Sequence, residues 1–216
     1  MKLNTVRLEA ISDGIIAIII TIMVLELKLP DISNDDSTRE VFGHLRHLLP
    51  YFISYSFSFM MITILWNNHH HLFSVLEKTD QRLLWQNFMF LFFLSLIPFA
   101  TALVGSNHRV PIAPVMYSTV MMLTTLSFAI MRHHSLKKRL THHDEDKELT
   151  REIAKVSLKS RRKAFIATLI YLIAIPIAFV NVYLAYACFA VPPVIFFIPD
   201  GLDDEKLAGK VDEKNK

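Results

Sequence analysis

The run Arg7-Leu8-Glu9-Ala10-Ile11-Ser12-Asp13-Gly14-Ile15-Ile16-Ala17-Ile18-Ile19-Ile20-Thr21-Ile22-Met23-Val24-Leu25, closed by Glu26-Leu27-Lys28-Leu29-Pro30, decides the fold. Its apolar core, residues 14–25, extends only about 18 Å as a helix, against roughly 30 Å of hydrocarbon. A helix that crosses the bilayer must therefore reach back to Leu8. That draws Ser12, Asp13 and Glu9 toward the membrane and leaves Arg7 at its edge. Ionisable groups are costly there, so each calls for a partner. A secretory leader fits poorly, because Glu9 and Asp13 stand where a basic region should be. Glu26 and Lys28 follow the apolar run in place of a small-residue cleavage site.

The rest of the chain extends this reading. It has 216 residues, 52% hydrophobic, with sixteen Phe, five Gly and a mean hydropathy of +0.36. Long apolar stretches alternate with polar loops, which specifies an all-α, polytopic membrane protein rather than a soluble domain. The single cysteine, Cys188, excludes an internal disulfide framework and most cysteine-based metal sites. The net charge of +3 points to no nucleic-acid partner. Six spans are expected, at residues 8–29, 48–66, 83–104, 110–131, 164–180 and 182–198. The last two share one apolar stretch of 35 residues, about 52 Å as a helix and too long for one crossing. Pro176 and Asn181 suggest a turn within it. Residues 1–199 then form the membrane domain and 200–216 a charged tail.

Loop charges orient the spans. Of the 23 Lys and Arg residues, 19 fall at the N-terminus, in the loops 67–82 and 132–163, and in the tail; four fall on the other side. Basic loops stay cytoplasmic. Both termini are therefore expected inside a cell membrane, with the acidic loop around Asp31, Asp35, Asp36 and Glu40 outside.

Within span one, Ile11, Ile15, Ile18, Ile22, Leu25 and Leu29 recur three or four residues apart and share a face, with Thr21 beside them. Periodicity leaves two readings open: an ordinary lipid-facing or packed helix, or one wall of a pore built from several copies. Aliphatic rings narrow and gate a pore by dewetting, while Thr hydroxyls offer an ion oxygen ligands. Ser12-Asp13 also has two readings. It either caps a helix start or joins a polar network with other spans. Arg7 and Asp13 are six residues apart and do not face each other.

Candidate partners lie in Trp66-Asn67-Asn68-His69-His70-His71, on the same side of the membrane. Trp66 and His70 are four apart and share a helix face. Successive helical residues point about 100° apart, so three adjacent histidines do not readily chelate one ion, and no H-E-x-x-H is present. No metal and no cofactor is expected. Catalytic signatures such as G-x-S-x-G, a P-loop and G-x-G-x-x-G are absent, so an enzyme is not expected. So are T-V-G-Y-G and an arginine-repeat voltage sensor.

The motif Arg7-Leu8-Glu9-Ala10-Ile11-Ser12-Asp13 resembles the Arg-x-x-x-Phe-Ser-Asp signature of the transmembrane protein 175 family, with Ile11 in place of Phe. Thr21-Ile22-Met23-Val24-Leu25, Trp66, His70 and the six spans are also similar. These are potassium channels of endosomes and lysosomes with prokaryotic homologues. The resemblance implies a homotetramer in a lipid bilayer, one six-span unit per chain, with helix one of each copy lining a central pore. It implies an aliphatic constriction at Ile18, Ile22 and Leu25, and a hydroxyl layer for selectivity at Thr21. It further implies a supporting network of Arg7, Ser12, Asp13, Trp66 and His70, with potassium as the permeant ion. The rival expectation is a proton- or cation-coupled secondary transporter relaying protons through Asp13 and His70. The lack of an inverted repeat or an interrupted helix pair speaks against it.

Overall fold

The computed structural model describes residues 5–27, 37–138, 140 and 147–197. Expectations for Lys28, Leu29, the acidic residues 31–36, the histidines and acids of 142–146 and the tail 200–216 lie outside them. The regular elements of the described residues are helices: α1 Thr5–Met23, α2 Thr38–Ser74, α3 Gln81–Ser95, α4 Ile97–Ser106, α5 Ile112–Lys137, α6 Lys147–Val180, α7 Val182–Phe189 and α8 Val191–Phe197. A 3₁₀ turn, Val24–Glu26, extends α1.

Among these residues, five stretches are long and apolar enough to cross a membrane: Thr5–Glu26, Val41–Ser74, Gln81–Ser106, Ile112–Lys137 and Leu158–Val180. A sixth apolar stretch, Val182–Phe196, is shorter. α2 has 37 residues, about 55 Å of helix, and so projects well beyond the hydrocarbon. Proline chemistry shapes the third crossing. Pro98 has no N–H to give to Leu94, so the helix breaks at Leu96 and resumes as α4. At the far end of α6, Asn181 adopts an extended backbone, and its Oδ1 accepts from the N–H groups of Tyr183 and Leu184 at 2.9 and 3.2 Å, capping α7.

α5 is buried on most of its circumference and packs against α3, α4 and α6. In lipid, apolar surface alone gives helices little reason to associate, so close packing and interhelical hydrogen bonds carry the assembly. Thr125 and Thr168 pair their hydroxyls at 2.9 Å across α5 and α6. Ser58 of α2 joins Thr101 of α4 at 2.8 Å and Tyr117 of α5 at 3.0 Å. Gly105 of α4 lies so close to α2 that a Cβ there would sit 2.6 Å from the Tyr51 ring. At the opposite end, Asp80 caps α3 through Leu83 N–H at 2.7 Å and binds His134 Nε2 of α5 at 2.8 Å. Partial burial pushes the Asp80 carboxyl up, but the Leu83 N–H, the His134 hydrogen bond and charge, and Lys138 outweigh it and hold its pKa below the usual value.

A clamped first helix with an open aliphatic face

α1 runs unbroken through Ser12-Asp13-Gly14. The capping alternative for Ser12-Asp13 is thereby excluded: the pair stands two turns inside the helix. One face, Leu8, Ser12, Ile16, Ile19 and Met23, is buried against the other helices at spacings of four, four, three and four. The other face carries Ile11, Ile18, Ile22 and Leu25, which are 51%, 58%, 44% and 70% exposed. Large aliphatic groups this exposed on a single chain have their partners elsewhere, in lipid or in further copies. Thr21 lies on the same open side. Its hydroxyl proton is directed at the carbonyls of Ala17 and Ile18, at 3.1 and 2.9 Å. The oxygen lone pairs stay available to a cation. Ile15, Ile18, Ile22, Pro98 and Phe99 line a groove of about 500 Å³ between α1 and α4.

Three polar contacts hold the first half of α1. Trp66 Nε1 donates to Asp13 Oδ1 at 3.0 Å. His70 Nδ1 meets Glu9 Oε1 at 3.1 Å, one turn along α2, and its ring stacks on Trp66 with centroids 5.9 Å apart. Ser12, fully buried, donates to Leu8 O at 2.8 Å and accepts from Asn87 Nδ2 of α3 at 2.8 Å. Asn87 Oδ1 in turn meets His69 Nε2 at 2.8 Å. Because Asn87 uses its amide on Ser12, its oxygen is the acceptor and His69 carries its proton on Nε2. The His69 ring lies against Phe73 and Phe90, with centroids 4.4 and 5.5 Å away. α1 is thus tied to α2 and α3 at once, in a region where each unmade hydrogen bond is expensive.

Of the five residues proposed for this network, the structure places Ser12, Asp13, Trp66 and His70 in polar contacts. It leaves Arg7 exposed, without a hydrogen bond or ion pair among the described residues. Asp13 and His70 do not bond each other; each has its own partner. Glu9, His69 and Asn87 complete the arrangement and were not among the proposed set. Their signal was present. Asn87 falls in register with the buried Leu83, Phe90 and Leu94, and His69 with Leu65 and Leu72. A polar residue on the buried stripe of an apolar helix needs a polar mate. His69, His70 and His71 diverge around α2, and among the described residues no three His, Cys or acidic side chains converge as a metal cluster would.

These features define an all-helical integral membrane protein whose first helix is fastened on one face and open on the other. Residues 7–98 match the sequence model of the family described as the endosomal/lysosomal potassium channel TMEM175. A protein of Chryseobacterium named a potassium channel is 36% identical over 93% of this chain and 96% of its own length. The chain belongs to the TMEM175 family. The crystal structure of a homologue from Chamaesiphon minutus, described as a lysosomal potassium-selective channel TMEM175 homolog, superposes with a TM-score of 0.76. It is 26% identical and covers 91% of this chain and 98% of that one. The chicken relative, named an endosomal/lysosomal proton channel, is 26% identical over 80% of this chain and 35% of its own length.

Proposed function

We propose that this chain assembles as a homotetramer in the cell membrane, both termini cytoplasmic, and conducts potassium passively along an axis lined by α1. The observation that carries the reading is the open stripe of Ile18, Thr21, Ile22 and Leu25 on a helix whose opposite face is fully engaged. Four such stripes around an axis form a pore whose aliphatic rings gate by dewetting and whose Thr oxygens coordinate the ion. Potassium is the ion in the names of the bacterial relative and the crystallised homologue. The polar clamp at Glu9, Ser12 and Asp13 is the support that sets the rotation of α1. The protein carries out no chemistry on its ion and needs no cofactor.

The test is flux through purified protein in liposomes under opposed potassium and sodium gradients. Potassium current is expected, with a reversal potential that follows the potassium gradient. Ile18→Asn or Leu25→Asn is expected to change conductance or selectivity. Variants that conduct like the parent would remove α1 from the pore. The second reading is proton movement, favoured by the name of the chicken relative. A direct relay between Asp13 and His70 is not built, since Trp66 and Glu9 occupy them. A reversal potential that follows pH rather than potassium would establish that reading instead.

A further inference from the structure

A second opening lies away from α1, between the cytoplasmic ends of α5 and α6. It is a groove of about 670 Å³. Its membrane-side walls are Leu126, Ile130 and Phe165, of which the last two are each about half exposed; Leu158 lies one helical turn to the other side of the arginines. Its other end is basic, formed by His133, Arg161 and Arg162. Arg161 Nη1 donates to His133 Nδ1 at 2.9 Å. That bond holds the guanidinium in one orientation and leaves its remaining N–H groups for an acceptor. No acidic side chain lines the groove among the described residues.

We propose that this groove is a binding site for an anionic phospholipid of the cytoplasmic leaflet. Arg161 and Arg162 take the phosphate, and one acyl chain lies along Leu126, Ile130 and Phe165. The argument is charge complementarity joined to polarity order. Moving from the membrane end toward the cytoplasm, the groove passes from aliphatic and aromatic walls to two guanidinium groups, as a lipid passes from tail to phosphate. Basic pockets between transmembrane helices on the cytoplasmic side suit anionic headgroups, and a guanidinium meets phosphate in a bidentate fork. A soluble phosphate would satisfy the arginines and leave the apolar walls uncovered.

The test is native mass spectrometry of the intact assembly titrated with phosphatidylglycerol, phosphatidylcholine or inorganic phosphate. This readout is independent of whether the protein conducts. The parent is expected to retain phosphatidylglycerol in preference to phosphatidylcholine. Each of Arg161→Gln and Arg162→Gln should lower that retention about fivefold. Ile130→Trp keeps every charge and fills the groove, and should lower retention as well. Three results would overturn the proposal: no preference in the parent, retention unchanged by the arginine variants, or full retention by Ile130→Trp. The last would reduce the effect to unspecific surface charge. A change of oligomeric state in the arginine variants would also overturn it, by assigning the groove to a neighbouring copy.

Discussion

Replacing Asn87 with leucine removes the junction between α1 and its neighbours at nearly constant volume, so no large cavity forms. The loss can be worked out atom by atom. Ser12 loses the Asn87 amide but still donates to Leu8 O at 2.8 Å. His69 loses its partner on Nε2, and its Nδ1 has none either, so the buried ring is left without a hydrogen bond. A buried donor left unmade costs about 1–3 kcal/mol, while side-chain hydrogen bonds between membrane helices average about 0.6 and reach about 1.7 kcal/mol. Asn87→Leu should therefore destabilise by about 2 kcal/mol, chiefly through His69. Ser12→Ala should cost less, about 1 kcal/mol, since it strands one amide proton. The decisive variant is the pair Asn87→Leu with His69→Phe. Phe suits the space between Phe73 and Phe90, and with both partners apolar most of the loss should return. Reversible SDS unfolding of the purified protein measures these three and the single variant His69→Phe. A cost below about 0.5 kcal/mol for Asn87→Leu, or a double variant as unstable as the two single losses added, would refute the junction.

Trp66→Phe keeps an aromatic ring against His70 but removes the N–H to Asp13, and should lower unfolding stability by about 1 kcal/mol; an unchanged unfolding curve would remove this contact from the clamp. Asp80 gives an acid dependence. Its folded pKa lies below its unfolded value of about 3.8, so its contribution is complete above that value and is lost as pH falls through the folded pKa. Melting temperatures between pH 6 and pH 3 should fall less for Asp80→Asn, which still caps α3, than for the parent; parallel curves would refute the assignment. Gly105→Ala puts a methyl group 3.1 Å from the Tyr51 Cα, where backbone must give, and should destabilise by about 1–3 kcal/mol. Gly14→Ala, with nothing within 4 Å of the added carbon, serves as the tolerated control in the same measurement.

The helices were legible where apolar length alone decides. Span one and the turn at Asn181 follow from local chemistry, whereas Pro176 stays inside α6 and the break before Pro98 is not expected in a span read as 83–104. What a linear reading missed is the interior polar chain. In the sequence Asn87 is one polar residue within a crossing and His69 one of three histidines, yet their meeting depends on the relative rotation of α2 and α3. That rotation is set by packing across 18 residues of chain and leaves no local mark. Arg7 shows the converse: its place in the motif suggested a partner, and geometry turned it outward. The expectation for residues 48–66 also understated α2, because the polar residues from Trp66 to His71 continue the helix rather than ending it.

The fastening of α1 has a mechanical consequence. Among the described residues its polar contacts to other helices occur at Glu9, Ser12 and Asp13; beyond them its packing is apolar, through Ile16, Ile19 and Met23, and the helix tightens into a 3₁₀ turn at Val24 that lies against α2. A rod gripped near one end behaves as a cantilever, whose tip deflects more than its root under the same sideways load. Leu25 stands some 18 Å from Asp13 along the axis, and Ile18 less than half as far. A constriction built at Leu25 is therefore compliant, and one built at Ile18 is stiff.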